Sequence, residues 1–284
     1  MDGEQQMRRI RVAAIQFDVK SGDKDANLSK VEELLGTIAN QGVNIAAMSE
    51  YFLTGFPVTR ENVIKWAEPI PGKTTDRLAE LAKRFRMCLL GSMIERDGKR
   101  FHATCPVIDA NGNIVGKHRK VNLWMMHPAD ELGAGLTPGE TYSTFEEVGA
   151  TIAILLGDDF APEPARICAL KGADVIFYLT AIDYPWIEIY RAIGTANAYT
   201  NLSYVVSVNR TGVFNGLSYF GESRIINPMG ETIASAGSSY GAWIPEGVAT
   251  ATLDIDWLQE LRQQPWNPLK LRKPETYGLI AETL

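Results

Sequence analysis

Charged residues close three apolar runs of this sequence. Glu50 ends NIAAMSE, Lys120 ends IVGKHRK, and Asp158 and Asp159 follow IAILLG. The ends of strands and the loops beyond them are where α/β sheets place their chemistry. A carboxylate, an ammonium and a third strand-end site share one pocket if the strands are neighbours. The plain alternative is solvent exposure, the usual fate of Glu and Lys, with Asp158 and Asp159 acting as turn and helix-cap residues. A divalent cation held by Glu50, Glu131, Asp158 and His127 is a further use of such carboxylates, and Lys120 among them opposes it on charge. No metal and no cofactor is expected.

The elements that must position these groups follow from periodicity. IRVAAIQFDV opens as a buried strand from about Ile10, and VNIAAMSE is a second strand. Between them Leu28, Val31, Leu35 and Ile38 recur at helical spacing, and Gly42 is the stop. Residues 74–86 read as an amphipathic helix through Leu78, Leu81, Ala82 and Phe85, begun by a threonine cap. MCLLGSMIER and ATCPVIDANGNIVGKHRKV alternate like paired strands, with Asn111-Gly112 as a hairpin turn. ATIAILL, ADVIFYL and SYVVSVN read as buried strands, alternating with helices near 162–171 and 185–201. GESRIINPMGETIASAG is a hairpin turning at Pro228-Met229-Gly230. Strands and helices interleave from end to end with no linker or repeat, which indicates a single α/β layered domain over 1–284.

Composition excludes several classes. The 284 residues are 45% hydrophobic and 22% charged, the balance of an ordinary globular protein. Apolar runs are far shorter than the ~20 residues of a membrane span, and the first residues lack the apolar segment of a signal peptide. A net charge of −6 with no basic cluster argues against nucleic acid and anionic membranes. Cys88, Cys105 and Cys168 are too scattered for a disulfide framework, and His102, His118 and His127 lack metal-ligand spacing. A cytoplasmic protein is the default expectation.

In order and surroundings, these motifs resemble those of the carbon–nitrogen hydrolases, the nitrilase and amidase family, whose catalytic set is Glu, Lys and Cys in that chain order. MSEYFLTGFP looks like the family's first motif, which makes Glu50 the general base. GKHRKVNLW looks like the second, which makes Lys120 the cation that stabilises a tetrahedral oxyanion. Glu131, in HPADELGAGLTPGE, best matches an additional glutamate of many members. The resemblance runs from about Arg11 to Tyr277 and implies a four-layer α-β-β-α sandwich. It also implies a homodimer or higher homo-oligomer, with residues 160–200 and a C-terminal tail over 265–284 packing on a partner subunit. Tyr51, Trp124 and Asp159 are expected to line the ligand site.

The third motif departs from the family. Members end an apolar strand in cysteine, with Pro-Glu a few residues on, whereas this chain has TIAILLGDDFAPEPAR. Pairing strand with strand puts Gly157 at the nucleophile position, and pairing Pro162-Glu163 with Pro-Glu puts Leu156 there. Neither carries a thiol, and Cys168 lies several residues farther on, in a helix. Near the helix before SYVVSVN, only Asn201 matches the family pattern. The expected function is to bind or act on a small amide, nitrile or related nitrogen compound, with the thiol chemistry replaced. Glu50 activating a water, or Asp158 as nucleophile, are the catalytic versions. The alternative is an inactive ligand-binding or regulatory pseudoenzyme, with Glu50 and Lys120 kept as a buried pair.

Overall fold

The computed structural model describes residues 7–57, 59–126, 129–238 and 245–282. Two β-sheets lie face to face. Among the described residues the first has seven strands. Six run in the order Gly247–Asp254, Arg9–Gln16, Ile45–Met48, Cys88–Leu90, Arg100–Ile108, Met93–Asp97, and Ile114–Arg119 also pairs with Arg100–Ile108. The second has six, in the order Thr232–Ser235, Arg224–Ile226, Tyr204–Asn209, Val175–Thr180, Ala150–Leu156, Thr144–Glu147.

The continuous apolar runs have a simple cause: both faces of these strands are covered. In Ala150–Leu156 the side chains of Ile152, Ile154 and Leu156 enter the core between the sheets. Ala153 and Leu155 point the other way, under the helices Pro162–Leu170 and Ile187–Asn201. Arg9–Gln16 divides likewise, with Val12 and Ala14 between the sheets and Ala13 and Ile15 under the helices Lys24–Ile38 and Lys73–Phe85. The result is helix, sheet, sheet, helix, as expected. Each fully buried Leu, Ile or Phe contributes about 1.5–3 kcal/mol, so the doubly covered strands are the stable frame.

The two amphipathic helices bury the predicted residues except Phe85, which is partly buried. Leu28, Val31, Leu35 and Ile38 are buried in the first, which Asp23 caps by accepting from the Ala26 N–H at 3.0 Å. In the second, Gly72 rather than a threonine is the cap residue, and the Thr75 hydroxyl accepts from the Gly72 N–H at 2.8 Å. Arg60–Trp66 is a further short helix, capped by Thr59. Both predicted hairpins form, between Arg100–Ile108 and Ile114–Arg119 and between Arg224–Ile226 and Thr232–Ser235. No described helix is long and apolar enough to cross a membrane.

Parallel pairing decides where the site falls. Ile45–Met48 runs parallel to Arg9–Gln16, and Val175–Thr180 runs parallel to both Ala150–Leu156 and Tyr204–Asn209. Their carboxyl ends gather at one edge of the sandwich. There the Glu50 N–H donates to the Thr180 carbonyl at 3.2 Å, joining the two sheets.

Candidate active site

At that edge three carboxyl groups converge on one ammonium. The Lys120 Nζ lies 2.9 Å from Glu50 Oε1, 2.8 Å from Glu131 Oε2 and 3.5 Å from Asp158 Oδ2. The backbone fixes this set from several directions. The Lys120 N–H donates to Ala103 and its carbonyl accepts from the Gly139 N–H, so the residue is pinned between a strand and a returning loop. Glu131 accepts from the Trp124 N–H at 2.7 Å and from the Tyr51 hydroxyl. Tyr51 itself sits at φ +49° in the turn after Glu50, its N–H donating to Ser92 Oγ at 3.2 Å.

Three carboxylates around one ammonium cannot all ionise comfortably out of water. Burial pushes the Glu50 carboxyl up to about 8, against the pull of Lys120 and with help from Glu131. Burial also raises Asp158. For Lys120 burial opposes the charge, but Glu131, Glu50 and Asp158 outweigh it and hold the ammonium above its ordinary value. The centre therefore combines a permanent cation with a carboxyl that exchanges its proton near neutral pH.

Leu156 and Gly157 part company here. Leu156 is the last strand residue and its side chain fills the core between the sheets. Gly157 follows at φ +45°, and its carbonyl accepts from the Tyr178 hydroxyl at 3.0 Å. A Cβ on Gly157 would lie 2.5 Å from Lys120 Nζ and 2.6 and 2.7 Å from the Glu50 oxygens. It is Gly157, not Leu156, that faces the charged centre.

Above Gly157 opens a cavity of about 360 Å³ whose walls include Phe56, Trp124, Tyr178, Trp186 and Tyr219. Glu50, Trp124, Gly157 and Asp158 form part of its lining. Two sequence expectations are corrected by position. Tyr51 is fully buried behind Glu131 and does not line the cavity. Asp159 is also buried, where it accepts from the Val121, Asn122 and Leu156 N–H groups and pairs with His118 at 3.1 Å. It ties the turn at Gly157 to the loop after Lys120 instead of meeting a ligand.

The thiols lie elsewhere. Cys88 and Cys105 are buried in the core between the sheets, and Cys168 is buried under its helix beside Ala153 and Ala165. Burial pushes the Cys168 thiol up to about 12, and none of the three lines the cavity. His127 lies outside the described residues. Among the described residues no group of three or more His, Cys, Asp or Glu is arranged to hold a metal ion.

Sequence reasoning missed most of the cavity wall. Phe56, Asp183, Trp186 and Tyr219 come from loops, a short 3₁₀ helix and a β-ribbon whose composition gives no periodic signal. The usable clue was position: AIDYPW follows a buried strand directly, as Glu50 does.

Comparison with known proteins places the chain in a family. The carbon-nitrogen hydrolase family model matches residues 11–263. An omega-amidase, NIT2 of Xenopus tropicalis, is 30% identical over 97% of this chain and 98% of its own length. A nitrilase of Pyrococcus abyssi is 30% identical over 94% and 99%. Among solved structures, a carbon-nitrogen hydrolase of Helicobacter pylori G27 superposes with a TM-score of 0.88 at 21% identity, over 96% of this chain and 99% of that one.

Proposed function

Given that the chain belongs to the carbon–nitrogen hydrolase family, we propose that it binds a small amide or related C–N compound over Gly157 and hydrolyses it with water in place of a thiol. The observation that carries this is the bracketing of the space above Gly157 by the Lys120 ammonium and the Glu50 carboxylate. Gly157 stands where the family's nucleophile would be, and it supplies none. In its ionised form Glu50 takes a proton from a water, and the oxygen bonds to the carbonyl carbon. The C=O electron pair moves onto oxygen, where Lys120 stabilises the charge. Collapse restores the carbonyl and breaks the C–N bond, and the proton held by Glu50 passes to the departing nitrogen. The products are a carboxylic acid and ammonia or an amine. Loss of the nucleophile in a covalent hydrolase costs on the order of 10⁶ in kcat, so turnover is expected to be slow.

A second reading has its own support. Lys120 is already saturated by carboxylates, as a purely structural buried cluster requires. The chain is then a ligand-binding protein without turnover. We also infer that two copies associate through the helix Pro162–Leu170 and the tail, where Leu170, Leu279 and Ile280 stand exposed.

Single turnover in ¹⁸O-water separates these readings. The water route puts the label in the product acid at the first turnover, adds no mass to the protein and gives no hydroxamate with hydroxylamine. Glu50→Gln and Lys120→Met abolish the product. Label recovered in Asp158 would assign that carboxylate as nucleophile, and binding with no product would leave the ligand-binding reading.

A further inference from the structure

Reading this cavity as the ligand site leads to its selectivity. Its walls are aromatic and aliphatic, and the charged groups among its described lining residues are Glu50, Asp158 and Asp183, all acidic. Glu50 and Asp158 reach Lys120. Asp183 differs. It is half-buried, and among the described residues its carboxylate is held by its own backbone N–H and by no cation.

The position of Asp183 is firmly built. It follows the strand Val175–Thr180, and its backbone bridges to Tyr219. The side chain of Asn209 clamps the preceding residue from both sides, accepting from the Ile182 N–H at 2.9 Å and donating to the Ile182 carbonyl at 3.0 Å. Trp124 and Trp186 meet edge to face nearby, ring centroids 6.3 Å apart, on the wall of the same cavity.

Partial burial among apolar walls raises the Asp183 carboxyl above its ordinary value, and a cation on a ligand would favour its charged form. Lys120 does not fill that role, since it is buried and already shared by Glu50, Glu131 and Asp158. A carboxylate on the ligand would meet Asp183, of its own sign, while Glu50 and Asp158 are already engaged with Lys120. A ligand ammonium would meet Asp183 and the electron-rich rings of the tryptophans, a combination that favours desolvated cations.

We propose that Asp183 is the specificity residue of this cavity, and that the ligand is a small amide bearing an ammonium group at the end away from its C–N bond. This rests on the cavity being the ligand site, not on any particular route of hydrolysis.

Calorimetric titration with three amides of matched length tests it: δ-aminovaleramide, hexanamide and glutaramate, which are cationic, neutral and anionic. At low ionic strength the cationic amide is expected to bind about tenfold more tightly than the neutral one, and the anionic one more weakly than either. Added salt shrinks the first ratio. Asp183→Asn brings the cationic-to-neutral ratio close to one, whereas Asp183→Glu keeps most of it. Thermal melts of both variants establish that each is folded. Equal affinity for the cationic and neutral amides, a preference for the anionic one, no binding of the cationic one, or an unchanged ratio in a folded Asp183→Asn protein overturns the proposal. Because the readout is binding, absence of turnover counts against the water route alone. Turnover with hexanamide preferred counts against the ammonium seat alone.

Discussion

At the scale of single residues, Glu50 connects the site to stability. In the folded protein its carboxyl is pushed up to about 8 from an ordinary value of 4.5, chiefly by burial. Across that window the folded chain holds a proton that the unfolded chain has released, so stability falls as pH rises. Glu50→Gln mimics the protonated form and removes this dependence. Melting curves from about pH 5 to about pH 9 should therefore show the wild type declining and the glutamine variant flatter, melting a few degrees higher at the alkaline end. Parallel curves would mean that Glu50 ionises as an exposed glutamate does. The same proton decides activity: the ionised form is the base, so kcat/KM should rise with pH through about 8. Glu50 and Lys120 were legible in the sequence because each sits in a recognisable motif at a strand end, and Glu131 only as the match to an additional glutamate of the family. Their mutual geometry was not, since it depends on Tyr51 and the Trp124 N–H holding Glu131.

At the scale of elements, the turn after Ala150–Leu156 is the decisive piece. The strand was readable because seven residues in a row are apolar or small and both faces are covered. The sequence left two choices for the residue facing the pocket, and the direction of the chain at Gly157 makes the choice. A side chain there meets two obstacles: φ is +45°, and its Cβ would crowd Lys120 and Glu50. The left-handed conformation alone costs a non-glycine residue about 1–2 kcal/mol. Gly157→Ala should lower stability by roughly 2–4 kcal/mol in denaturant titration, overpacking adding to the backbone cost. Gly157→Cys should unfold at similar denaturant concentration, yet place a thiol against Lys120. That thiol should be alkylated by iodoacetamide near neutral pH, while the buried Cys88, Cys105 and Cys168 stay unmodified. An alanine variant as stable as the wild type, or a cysteine as inert as the native three, would show that the turn does not face the charged centre. Elements that escaped the sequence reading share a property. Gly247–Asp254 alternates small and polar residues, GVATATLD, and becomes a strand through pairing with Arg9–Gln16, at the far end of the chain. Arg60–Trp66 is too short for a periodic signal.

At the scale of the whole molecule, the interleaved strands and helices made one layered α/β domain legible, while the four-layer order came from the family resemblance; the structure accounts for it by covering both faces of the strands. What an isolated chain leaves exposed is less ordinary. Leu279 and Ile280 in the last turn are 82% and 64% exposed, and Leu170, at the end of the helix Pro162–Leu170, is 49% exposed. Large apolar side chains at such exposure need no explanation singly, but a terminal segment that carries several and buries none gains little by folding onto its own chain. Association with a second copy would bury them, and at about 25 cal/mol per Å² such a contact is a useful fraction of the energy holding a dimer together. Removing the residues after Leu271 should therefore shift the protein to a smaller species in light scattering, at concentrations where the full chain is associated. The isolated domain should stay folded, because the truncation touches none of the clusters that form its core. If the truncated protein keeps its mass, the tail is not an assembly element. If it loses both mass and amide binding, the association also supports the cavity, whose helical wall Ile187–Asn201 carries the exposed Ile189 and Tyr199.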